Sequence, residues 1–165
     1  MKKENANLGY LGVEFQYRLI KALMEDNNLL STISPILDQN MFTDINLRTY
    51  VGIMKDYYEK HGSFPTYGVM EIKLREKAVS EIDRETFLSV SRKVQNTPTD
   101  GCSEIKEMAV KFFRQQNIIR TANQILQIAG NGDTSKYDEC VNLLSDAMRK
   151  EAEKRIGNLY PKVND

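Results

Sequence analysis

Apolar residues along this chain recur at intervals of three and four and rarely at two, a period that predicts helices throughout and no convincing strand. Proline and glycine are sparse, four and nine in 165 residues, so the breaks between helices stand out. A first helix is predicted over 13–25, with Phe15, Leu19, Ala22 and Leu23 on one face and Ile20 beside them. Asp26-Asn27-Asn28 stops it. A short helix carrying Leu29, Leu30 and Ile33 breaks near Ser34-Pro35, where proline removes a donor and disfavours helix before it. Thr43-Asp44 offers an N-cap for a long helix reaching Lys60. Its core face is drawn from Leu47, Tyr50 or Val51, Met54, and Tyr57 or Tyr58. His61-Gly62 ends it, since glycine readily takes the left-handed conformation past a helix end. Thr66 caps a helix over 67–77 with Val69, Ile72 and Leu74 inward, and a further helix starts at Asp83 with Phe87, Leu88 and Val94.

The strongest break is Asn96-Thr97-Pro98-Thr99-Asp100-Gly101, and the internal boundary of the domain is placed there. Beyond it the pattern predicts two long helices, 103–129 and 135–154, joined by Gly130-Asn131-Gly132-Asp133. Ser135 with Asp138 three residues on gives the second a capping-box-like start. So short a turn between long helices calls for an antiparallel hairpin. The expected fold is all-α: a globular head over 8–97, a hairpin over 101–155 and a linker-like tail over 156–165.

On a wheel of roughly 100° per residue, Ile105, Met108, Phe112, Ile119 and Leu126 fall within about a quarter turn. Their three-four alternation, with Gln115 and Ala122 in the gaps, is the packing seam of a two-helix contact. Tyr137, Val141, Leu144 and Met148 answer from the second helix. Nearer the turn the apolar arc widens, because Ile118, Ile125, Ile128 and Leu143 point away from that seam. A single partner helix covers only a narrow seam. The second stripe is therefore a candidate oligomer interface, covered either by the head folding back or by another chain; its place at the hairpin tip favours another chain.

Charge and chemistry narrow the picture. Lys and Arg total 23, as do Asp and Glu, so the formal net charge is zero and no long-range field draws the chain to nucleic acid or an acidic membrane. No stretch approaches the ~20 apolar residues of a membrane span, and no signal-peptide core follows Met1, so the expected address is the cytoplasm. Cys102 and Cys140 are too few for a disulfide scaffold or a four-ligand zinc site. In the hairpin they lie about 30 Å apart at ~1.5 Å per residue, well beyond the ~7 Å that a bridge allows. His61 stands alone at a helix end, and Glu14, Glu25, Glu71 and Glu76 are scattered without an acid/base partner. Gly130 to Lys136 holds the ingredients of a phosphate loop in the wrong order with no strand before it, so it reads as a turn. Lys73, Arg75 and Lys77, like Lys111, Arg114 and Arg120, interleave with glutamates and read as solvated helix surface. No catalytic, cofactor-binding or metal-binding residue is expected.

The order of these features resembles the N-terminal domain of DnaB-type replicative DNA helicases, especially phage-encoded members. The likeness rests on Leu11-Gly12-Val13-Glu14-Phe15-Gln16 leading to Leu19-Ile20-Lys21-Ala22-Leu23-Met24, on Leu29-Leu30 through Ile36-Leu37 to Met41-Phe42, and on Arg48 to Met54 ending in Tyr57-Tyr58-Glu59-Lys60-His61-Gly62. Phe64-Pro65-Thr66 with Val69 is similar to the entrance of that family's next helix. The pattern covers most of residues 8 to 155. The resemblance implies a non-catalytic domain that pairs through its hairpins, helps hold a hexameric ring, and docks primase or a helicase loader, with weak or no DNA contact. The family's ATPase domain is absent from this sequence, so ATP and Mg would belong to that domain alone. The tail after Ile156 favours an excised domain. A stand-alone loader or adaptor, or the helicase-binding domain of a primase, is the alternative. A small helical enzyme or direct nucleic-acid binder is disfavoured by the balanced charge and the lack of ligand clusters.

Overall fold

The computed structural model describes residues 7–159, with side-chain surroundings through 149. Among the described residues it is all-α: seven α-helices, short 3-10 turns and no strand. A 3-10 turn, Leu8–Leu11, is capped by the Asn7 side chain and leads through Gly12, at φ 82°, into α1 (Gly12–Glu25). Phe15, Leu19, Ile20, Ala22 and Leu23 are buried on its inner face, as the pattern predicts. Asp26 adopts an extended conformation that stops α1, and its carboxylate accepts from the Asn28 and Leu29 amides to start α2 (Asn27–Ile33). One aspartate thus sets both the end of one helix and the beginning of the next.

Asp44 caps α3 (Ile45–His61), which buries Leu47, Tyr50, Val51 and Met54 and ends at Gly62 in the left-handed conformation, φ 70°. The exposed His61 ring lies on Tyr57, 4.2 Å between centroids. Thr66 caps α4 (Tyr67–Lys77) through a bond from the Val69 amide to its hydroxyl. Here the inward face differs from the expected one. Met70 and Leu74 are buried, Val69 is only half-buried, and Ile72 is exposed. α5 (Glu81–Asn96) starts ahead of the expected Asp83. Ser80 and Asp83 form a reciprocal capping box, so Asp83 is the third residue of the helix rather than its first. α5 packs against α1, α3 and α4 and so forms the centre of the head.

The chain divides into two compact units between Phe113 and Arg114. The dividing point expected at 97–101 is instead a loop of the first unit, for two reasons. Arg18 Nη1 donates to the Asp100 carbonyl at 2.8 Å and Lys21 Nζ to the Gln95 carbonyl at 2.8 Å, tying both ends of the loop to α1. The opening turns of α6 (Cys102–Gly130) then bury Ile105, Ala109, Phe112 and Phe113 in the same core as Leu8 and Leu19. Each large apolar side chain so buried contributes about 1.5–3 kcal/mol, enough to make those turns part of the head.

The second unit holds the rest of α6, the turn, and α7 (Tyr137–Leu159). Of the tail expected from 156, residues 156–159 are helical; the remainder lies outside the described residues.

Candidate functional site: the C-terminal helices

The turn between α6 and α7 is built by its own polar groups. Gly132 takes φ 70°, a conformation other residues adopt only with strain. The Asp133 carboxylate accepts from the Ser135 amide at 3.0 Å and from the Ser135 hydroxyl at 2.5 Å, and these bonds hold the carboxyl below its ordinary range. Asp133 therefore caps a 3-10 turn, Thr134–Lys136, that precedes α7. The bonds Ser135 makes run back to Asp133, and its amide, which a capping box would offer to Asp138, is among them.

The two apolar stripes of this unit differ in exposure most clearly on α7. The stripe expected to be the seam on α7 lies open: exposure runs from 45% at Tyr137 through Leu144 and Val141 to 71% at Met148. On α6, Leu126 is 69% exposed and Ile119 half-buried. The residues expected to face a partner are for the most part the better covered ones. Ile125, Ile128 and Leu143 are half-buried, and only Ile118 of that set stands out, at 57%. The covered side of α7 is marked by Cys140, which is buried, with Leu143 and Ala147 half-buried at its i+3 and i+7 positions. Cys140 and Ala147 are small, so an apolar pattern built on large side chains does not mark them as covering residues. The remaining seam residues belong to the first unit: Ile105 and Phe112 are core, while Met108 is exposed.

Tyr137, Val141, Leu144 and Met148 follow one another at four, three and four residues and so share one face of a straight helix. That face is roughly 100° round from the Cys140–Leu143–Ala147 side. Both cysteines are free thiols.

The head also carries an open cleft of about 460 Å³ lined by Ala22, Glu25, Asp26, Asn28, Thr99 and Lys106, among others. The Lys106 ammonium already binds the Asp26 carboxylate there, so its charge is matched from within. Among the described residues no three His, Cys, Asp or Glu side chains gather closely enough to hold a metal ion, and no helix is long and apolar enough to cross a membrane. No protein-family model matches the chain, and no curated protein matches it either.

Proposed function

We propose that this chain is a non-catalytic assembly and docking domain of a replicative DNA helicase, of the DnaB type that its sequence resembles. In this reading it works in the cytoplasm, pairs with further copies of itself through its C-terminal helices and offers its head to a primase or helicase loader. ATP and Mg serve only the ATPase domain of the parent enzyme. The observation that carries the reading is the open stripe of Tyr137, Val141, Leu144 and Met148 on α7. Four large apolar side chains in coiled-coil spacing, left to water in a single copy, are stabilised by a second helix laid against them.

Light scattering over a range of concentrations tests this. The wild-type chain is expected to run as a dimer or larger species, and the Leu144→Glu/Met148→Glu variant as a monomer with unchanged helical circular dichroism. A wild-type chain that stays monomeric at high concentration overturns the reading.

A further inference from the structure

We draw no further inference here: the strongest candidate, the exposed aliphatic residues of the head, Val79 in the connection from α4 to α5 and Ile82 in the first turn of α5, is an unpartnered apolar surface patch, and nothing in the structure shows what covers it.

Discussion

Lys106 on α6 donates to the carboxylate of Asp26, joining two residues 80 positions apart. The same carboxylate caps α2 through the Asn28 and Leu29 amides. Asp26 is thus where the helix leaving the head is fastened to the α1–α2 corner. Its carboxyl is held below the usual carboxylate range, first by the bond from Lys106 and then, against the cost of partial burial, by the two amides. Lys106 is correspondingly raised, mainly by Asp26. Asp26→Ala removes the cap and leaves Lys106 without its partner, and a loss of about 1–2 kcal/mol is expected in urea unfolding.

The pH dependence has a definite sign. A carboxyl lowered in the folded state contributes stability in full above its unfolded value of about 4, and that contribution is lost as pH falls through the folded value. Lysine raised in the folded state does the reverse: its share is full below about 10.4 and fades as pH climbs past that. The stability difference between wild type and Asp26→Asn should therefore be flat near neutrality and shrink below about pH 4. Unfolding midpoints measured from pH 7 down to pH 2 check it; a difference that grows on acidification contradicts the assignment.

Gln16 is fully buried and fastens α1 to the start of α3. Its Nε2 donates to the Thr43 hydroxyl at 3.0 Å, and its Oε1 accepts from the Thr43 amide at 3.0 Å. Gln16→Leu keeps the volume but strands the Thr43 amide, for which a cost of about 1–3 kcal/mol is expected. Thr43→Val, which retains the amide, should cost less than Gln16→Leu in the same denaturation experiment.

Tyr50 gives the opposite case. Its ring is fully buried on α3, and its hydroxyl faces the buried Ser91 hydroxyl of α5 without a well-formed hydrogen bond. Burial pushes its ionisation far above the ordinary tyrosine range. Tyr50→Phe removes a desolvated hydroxyl and keeps the packing, so stability should change by less than about 1 kcal/mol or rise. Tyr50→Ala opens a cavity and should cost about 3–5 kcal/mol. Thermal unfolding of the two variants separates the ring's contribution from the hydroxyl's.

The parts of the fold legible in the sequence are those where local chemistry and burial agree. Asp44, Gly62 and Thr66 act at the helix ends their residue types suit, and α1 carries a single apolar face with one way to turn it inward; in α3 both Tyr50 and Val51 are buried, while Tyr57 and Tyr58 are only half-buried. α4 offers apolar residues all round, Val69, Met70, Ile72 and Leu74, so periodicity leaves its orientation open; contact with α5 and α3 decides it. The division of the chain was illegible for a related reason. A proline- and glycine-bearing loop resembles a linker until Arg18 and Lys21, distant in sequence, are found holding it. In α6 and α7 two apolar stripes compete for cover, and spacing ranks the more regular one first. The chain instead places small Cys140 and Ala147 on the covered side of α7, where they take little room, and leaves the larger Tyr137 and Met148 outside.

That exchange of faces gives the last prediction. Charge placed on the open stripe, as Val141→Glu, meets water in a single copy and costs that copy little, yet in the proposed assembly it faces a second helix. Charge placed on the covered stripe, as Leu143→Glu, is partly desolvated within the single copy and should destabilise the α6–α7 unit itself. Val141→Glu should therefore yield monomers with wild-type helix content and an unchanged unfolding midpoint extrapolated to low concentration. Leu143→Glu should lower helix content whatever the concentration. Sedimentation and circular dichroism on the two variants distinguish the faces. If Leu143→Glu dissociates the assembly with its helices intact while Val141→Glu remains associated, the partner surface is the half-buried stripe of Ile125, Ile128 and Leu143 after all.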